Sequence, residues 1–264
     1  MRHSTLLALA SAASLSTASP LESRAVAKFP AGTTWDIVLK VVLPLADLQK
    51  TKVQALDIDL FDNTEGGKTT IKELAKTKQV ICYFSAGSRE DWRDDANQFV
   101  PADYGKALDG WEGENWLDVK SANVRKIMKA RIEFAAKSGC TAVDPDNTDG
   151  FSEGQDGFGY PKEVYADYVN YLAGIAKTNN LAIGLKNSLD IIPLVLPNIQ
   201  FAVNEQCHEF ENECALYKPV TAAGLAVFQI EYGGNNCTEP AGVNLSEVIK
   251  GADQQLDKLG GQCP

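Results

Sequence analysis

At 264 residues, 44% of them hydrophobic, the chain carries enough apolar material for one sizeable core and has an ordinary length for a single domain. Its formal charge of −10 sets 35 acidic side chains against 25 basic ones, which argues against nucleic acid and anionic lipid as partners. Such a balance would attract a cationic partner, but it also serves plain solubility and names no substrate alone.

The N-terminus carries Arg2-His3, an apolar run from Leu6 to Ala13 and the small residues Ser16-Thr17-Ala18. This is the pattern of a secretion signal over residues 1–18, with a later cut up to residue 24 left open and the mature domain placed at 25–264. The apolar run is too short to span a bilayer, and no other stretch is long and apolar enough to anchor one. A secreted, extracellular protein is expected.

From there, short β-branched runs alternate with longer amphipathic ones. The runs Trp35 to Leu39, Ala55 to Phe61, Gln79 to Phe84, Thr141 to Asp144, Leu181 to Leu185, Ile199 to Val203 and Leu225 to Ile230 read as strands. Val243 to Ile249 reads as either an eighth strand or a helix. Helices are expected over Thr69 to Thr77, Ser121 to Lys137, Lys162 to Lys177 and Asp190 to Val195. Such alternation builds parallel βα units, so the class is α/β and the architecture a single (β/α)8 TIM-like barrel, with a doubly wound open sheet as the structural alternative.

The connections are asymmetric. Lys137-Ser138-Gly139 enters a strand in three residues, whereas Ala86 to Val119 and Thr148 to Tyr160 leave strands as long excursions. Long excursions on one rim build a binding surface there. They carry Trp92, Tyr104, Trp111, Glu114, Trp116, Phe151, Phe158 and Tyr160, whose rings suit either sugar faces or loop packing.

Six cysteines in an exported chain imply disulfides. Cys207 pairs with Cys214 across one loop, and Cys237 with Cys263 then ties the last loop to the C-terminus. Cys82 and Cys140 fall in adjacent buried strands as either a third bridge or two buried thiols. No Cys-x-x-Cys occurs and the only histidines are His3 and His208, so neither a metal site nor a cofactor is expected. Asn236-Cys237-Thr238 and Asn244-Leu245-Ser246 are acceptor patterns for N-glycosylation.

The strongest functional signal is Cys140-Thr141-Ala142-Val143-Asp144-Pro145-Asp146-Asn147-Thr148-Asp149-Gly150, an apolar run that ends in three carboxylates. One such cluster is ordinarily a turn. Here the pattern recurs, with Asp57 and Asp59 in the second run, Tyr83 in the third, Lys186-Asn187 after the fifth, Asn204-Glu205 after the sixth and Glu231-Tyr232 after the seventh. Strand ends of a parallel barrel deliver such side chains to one rim, where a buried carboxylate must be paired, hydrated or functional.

The blocks Asp57-Ile58-Asp59-Leu60-Phe61-Asp62, Cys82-Tyr83-Phe84-Ser85-Ala86-Gly87, Trp116-Leu117-Asp118-Val119, Asp144-Pro145-Asp146-Asn147, Gly184-Leu185-Lys186-Asn187, Val203-Asn204-Glu205-Gln206-Cys207 and Glu231-Tyr232 resemble glycoside hydrolase family 114, the endo-α-1,4-polygalactosaminidases. The resemblance spans roughly Trp35 to Leu256. It implies a (β/α)8 glycoside hydrolase domain that cuts α-1,4-linked galactosamine polymers such as galactosaminogalactan, so the partner would be a cationic or partly deacetylated amino-sugar polysaccharide. It also places the catalytic carboxyls at Asp146 and Glu205. We read Asp146 as nucleophile and Glu205 as general acid then base of a retaining displacement, with the carboxyls about 5–5.5 Å apart.

Asp59, Asp62, Tyr83, Asp144, Asn147, Lys186, Asn187, Asn204, Glu231 and Tyr232 are expected in substrate subsites, where carboxylates would bind the C2 ammonium of galactosamine. Lys186 runs against that logic and is expected either to pair with a neighbouring acid, to hold a hydroxyl or to serve structure alone. Two other readings stand beside the glycosidase: a carbohydrate-binding barrel without chemistry, and a hydrolase using the rim acids to hold Mg²⁺ or Ca²⁺.

Overall fold

The computed structural model of the protein describes residues 25–263 except Asp253, so the expected secretion signal lies outside the described residues. Eight parallel strands form one sheet in chain order: β1 (Trp35–Val38), β2 (Ala55–Asp59), β3 (Gln79–Ser85), β4 (Ala142–Asp146), β5 (Ala182–Lys186), β6 (Phe201–Glu205), β7 (Ala226–Tyr232) and β8 (Leu245–Lys250). The ambiguous last run is therefore a strand, and the sheet curls into a single TIM-like barrel rather than a doubly wound open sheet. Outside it lie α1 (Leu45–Lys50), α2 (Thr70–Leu74), α3 (Ala122–Ser138), α4 (Lys162–Thr178), α5 (Ile192–Val195) and α6 (Lys218–Ala222).

The two long helices follow their sequence signals closely. Ser121 caps α3 by accepting from the backbone N–H groups of Asn123 and Val124, and Gly139 ends it in the left-handed region at φ 96°. By contrast α2 is shorter than expected, and α5 begins only after a 3₁₀ turn at Leu189–Ile191. The excursion after β3 folds into a small antiparallel sheet of Ser88–Glu90, Glu114–Leu117 and Tyr104–Ala107, an element that sequence periodicity did not signal. Buried Arg131 of α3 anchors this excursion through a bidentate pair with Asp95 at 2.8 and 2.7 Å and a bond to Ser85 O at 2.8 Å.

Strand parity divides the barrel into layers. Trp35, Ile37, Ala55, Ile81, Ala142, Ala182, Phe201, Ala226 and Phe228 share one apolar cluster that fills the barrel's lower interior. The Trp35 and Phe228 rings stack there at 4.7 Å. Gly184 is required beside them, because a Cβ would stand 2.3 Å from the Phe201 ring. Further along the strands the same inward face becomes polar, with Asp57 and Asp144, then Asp59, Tyr83, Asp146, Lys186, Glu205 and Tyr232. The outward residues Leu56, Ile58, Val80, Cys82, Phe84 and Val143 pack against the helices instead.

All six cysteines are bridged, Cys82 to Cys140, Cys207 to Cys214 and Cys237 to Cys263. The open alternative for Cys82 and Cys140 is thus resolved as a bond joining β3 to a point two residues before the fourth strand. No helix among the described residues is long and apolar enough to cross a membrane.

The seam between β8 and β1 is closed by the last segment of the chain rather than by direct pairing. Ile249 N donates to Gly261 O at 2.7 Å and Cys263 N to Glu247 O at 3.0 Å, while Leu39 N and Lys40 N both donate to Leu256 O. At its centre buried Lys250 pairs with buried Asp36 and donates to the carbonyls of Lys258 and Gly260. Asp36 accepts in turn from Gly260 N at 2.7 Å and Gln262 Nε2 at 2.9 Å. Asp36→Ala, which strands a buried ammonium, is expected to lower unfolding free energy by about 3–5 kcal/mol in denaturant titrations, with most of the loss recovered by adding Lys250→Met. A loss under about 1 kcal/mol would mean that the pair does not hold the seam.

Candidate active site

At the C-terminal mouth of the barrel, three strand ends meet on one ammonium. Lys186 Nζ, at the end of β5, lies 3.3 Å from Asp146 Oδ1 and 3.2 Å from Glu205 Oε2. Those two oxygens are therefore at most about 6.5 Å apart, a span compatible with the shorter carboxyl separation of glycosidases. The side chains of Asp146 and Glu205 are 17% and 21% exposed whereas Lys186 is 2% exposed, so the carboxylates can be reached and the cation cannot.

Each carboxylate has its own tyrosine. Tyr83 OH donates to Asp146 Oδ2 at 2.9 Å, and Tyr232 OH donates to Glu205 Oε1. Burial first, and then the adjacent carboxylates, push both phenols well above their ordinary range, so they remain donors. Asp146 Oδ1 also accepts from Asn147 N at 2.8 Å. Burial alone would lower Lys186, but the surrounding Asp146, Glu205 and Asp144 outweigh it and hold the ammonium protonated.

The backbone is strained where it delivers these groups. Asn147, Asn187, Ser188 and Gln206 follow the ends of β4, β5 and β6 with φ of 61°, 47°, 50° and 65°. Residues other than glycine enter this region at a cost, and such turns gather at functional sites. A close approach reinforces the turn after β4, because Ala86 N and Gly87 N both donate to Asp146 O and a Cβ on Gly87 would collide with Asn147 O.

These groups open into a cavity of about 380 Å³, whose wall also carries Asp59, Asp62, Asn147, Asn187, Glu90, Trp92, Arg93, Trp111, Glu114 and, from the closing segment, Gln254 and Leu256. A second cavity of about 410 Å³ shares Asn187 and Glu205 with the first and continues past Asp149, Asp190, Phe210 and Glu213. The cleft thus extends on both sides of Glu205.

Three of the expected subsite residues do not reach this surface. Asn204 and Glu231 sit one residue out of phase with Glu205 and Tyr232, so strand parity turns them to the outer face of the barrel. There Asn204 approaches Asn187, and Glu231 accepts from His208 N and Gln229 Nε2. Asp144 points inward but lies a layer too deep, completely buried beside Asp57. Asp59 and Asp62 do reach the cavity, yet Arg93 holds them, meeting Asp59 at 3.2 and 2.6 Å and Asp62 at 3.1 Å. The same guanidinium binds Glu90 at 2.8 Å. Arg93 carried no sequence signal beyond its place beside Glu90-Asp91-Trp92 in a long excursion.

An eight-stranded parallel barrel whose C-terminal mouth presents two reachable carboxyls from different strands has the arrangement that a glycoside hydrolase requires. The chain belongs to glycoside-hydrolase family GH114, whose model matches residues 16–264, in agreement with the family resemblance of its sequence blocks. Among solved structures it is similar to Aspergillus fumigatus Ega3, crystallised in complex with galactosamine, at 38% identity and TM-score 0.79, covering 92% of this chain and 100% of that one. The glycoside hydrolase domain of PelA from Pseudomonas aeruginosa shares the fold, at 13% identity and TM-score 0.65, covering 86% of this chain and 97% of that domain. No curated protein matches the chain significantly.

Beneath the site, Asp57 and Asp144 have no hydrogen-bond donor within range among the described residues, and a shared proton is the arrangement that satisfies both. Burial raises Asp57 well above the carboxylate range and raises Asp144 to about 7. Because the folded value lies above the unfolded one, stability from Asp144 is complete below about pH 4 and is lost as pH rises toward about 7. Thermal midpoints should therefore fall between about pH 4.5 and about pH 7.5, and fall less in Asp144→Asn. Equal slopes in the two proteins would show that the pair does not titrate in this window.

Proposed function

We propose that the protein is a secreted endo-acting glycosidase that cleaves α-1,4-linked galactosamine-containing polysaccharide, galactosaminogalactan included, through a retaining double displacement. The observation that carries this reading is the convergence of Asp146 and Glu205 on Lys186, which keeps two carboxyls within reach of one sugar. Family membership and the similarity to Ega3, whose structure holds galactosamine, support the substrate class. Cavities on both sides of Glu205 support cutting within a polymer rather than at its end.

In this mechanism Asp146 attacks the anomeric carbon while Glu205 gives its proton to the departing glycosidic oxygen, leaving a glycosyl ester on Asp146. Glu205 then takes a proton from water, the hydroxyl adds to the anomeric carbon and the ester breaks. Three donors converge on Asp146, from Tyr83, Asn147 and Lys186, which suits the anion that must attack. Lys186 offsets repulsion between the two acids and keeps both aimed at the cleft. The rim acids that a divalent cation would need are engaged by Arg93 and Lys186, which favours the glycosidase over metal-assisted hydrolysis.

Asp146→Asn and Glu205→Gln should each lower kcat on deacetylated galactosamine polymer by at least about 10³-fold with unchanged circular dichroism. Lys186→Met should lower kcat by about 10²-fold or more. NMR of the first-formed product should show the α-anomer. Near-wild-type turnover in either carboxyl variant, or initial release of the β-anomer, would overturn the assignment.

A further inference from the structure

Six carboxylates line the main cavity, and five of them face a cation. Asp59, Asp62 and Glu90 meet Arg93, and Asp146 and Glu205 meet Lys186. Glu114 is the exception among the described residues. Its Oε2 accepts from Ser88 Oγ, its Oε1 has no protein donor, and no Lys or Arg pairs with it.

The small sheet explains this state. Glu114 stands opposite Glu90 across two antiparallel strands, and Arg93 bonds Glu90 rather than Glu114. Gly113 precedes it at φ 89° and accepts from Asp91 N at 3.1 Å, which fixes the turn that presents the side chain. Glu114 is 7% exposed. Burial pushes its carboxyl up to about 7, assisted by Glu90 and Asp146 and opposed by the Ser88 hydrogen bond and Arg93. A largely buried carboxyl without a counter-ion gains most from a ligand that brings one. Beside it, Trp92 and Trp111, 54% and 45% exposed, line the same cavity and offer flat apolar faces to a ring.

Glu114 is also wired to the reacting centre. Ser88 Oγ lies 2.6 Å from Ser85 Oγ, and Asn147 Nδ2 donates to both hydroxyls at 2.9 and 3.3 Å. Asn147 in turn donates its backbone N–H to Asp146. A change of charge at Glu114 is thus felt through a short chain of hydrogen bonds at Asp146.

We propose that Glu114 is a specificity-determining residue that binds the free C2 ammonium of a galactosamine unit next to the scissile bond and so separates deacetylated from N-acetylated substrate. The inference rests on the glycosidase reading above. Acetylation removes the positive charge and most of the donors, so a carboxylate that has shed water to meet the sugar is left unpaired. Asp59 and Asp62, the acids that sequence would nominate for the ammonium, already bond the Arg93 guanidinium.

The test compares kcat/KM on galactosamine oligomers of one length, either fully deacetylated or fully N-acetylated, for the wild-type enzyme and Glu114→Gln. The deacetylated-to-acetylated ratio should fall at least about 10-fold in the variant, chiefly through KM on the deacetylated oligomer, and Glu114→Asp should restore part of it. An unchanged ratio, or an equal loss on both substrates, would overturn the proposal and leave Glu114 a structural residue. Should Glu114→Gln not fold, the Glu205→Gln enzyme crystallised with deacetylated oligomer decides. An ammonium within hydrogen-bond distance of Glu114 is expected, and ammonium groups only at Asp62 or in the second cavity would overturn the proposal. Wild-type enzyme that cleaves neither oligomer would instead refute the glycosidase reading itself.

Discussion

The site depends on one buried ammonium. Asp146 and Glu205 come from strands separated by β5, and two carboxyls brought so close would repel and drift apart in the absence of Lys186. The sequence of the barrel places that cation where it is needed, because Lys186 occupies the inward phase of the strand lying between the two acid-bearing strands. A buried lysine by itself is unfavourable, and a pair of acids by itself is unfavourable. Together they form a triad whose members justify one another's burial, above the Asp57 and Asp144 pair, whose carboxyls burial raises.

The ordering of polar groups follows from geometry more than from composition. Alternate residues of each strand face inward, so a barrel that is apolar at its base and acidic at its mouth needs only a change of residue type along one parity. Phe201, Val203 and Glu205 make that change in a single strand. Left-handed turns at Asn147, Asn187 and Gln206 then halt each strand just past its functional side chain. Asparagine at the first two points is a residue type that tolerates positive φ and bonds its own backbone, whereas Gln206 is held by its N–H bond to Ile230 O at 2.7 Å.

Much of this was legible beforehand, and the failures have physical causes. Seven of the eight strands, the long helices α3 and α4 and the polar strand ends of the site were readable because apolar runs of period two or 3.6 ended in punctuating polar residues, whereas the eighth run stayed open between strand and helix. Asn204 and Glu231 were misplaced because Asn204-Glu205 and Glu231-Tyr232 are consecutive polar positions, and only pairing with neighbouring strands reveals which of the two faces inward. Asp144 failed by depth, since one strand position decides between floor and cleft. Arg93 was missed because its partners Asp59 and Asp62 lie more than thirty residues earlier, and no local pattern reports a contact formed by a folded excursion. The bond between Cys82 and Cys140 was undecidable from spacing alone, their separation of 58 residues carrying no information on register.

The strap that fills the gap between the eighth strand and the first has a temporal meaning. Because synthesis runs from N- to C-terminus, residues 254–263 emerge after every barrel strand, yet Gln254 and Leu256 form part of the wall around Asp146 and Glu205 and Cys263 must find Cys237 to tie the segment down. Closure of the cylinder and completion of the cleft therefore draw on the same residues, and these are among the last to be made. A nascent chain holding all eight strands would still be an unfinished catalyst.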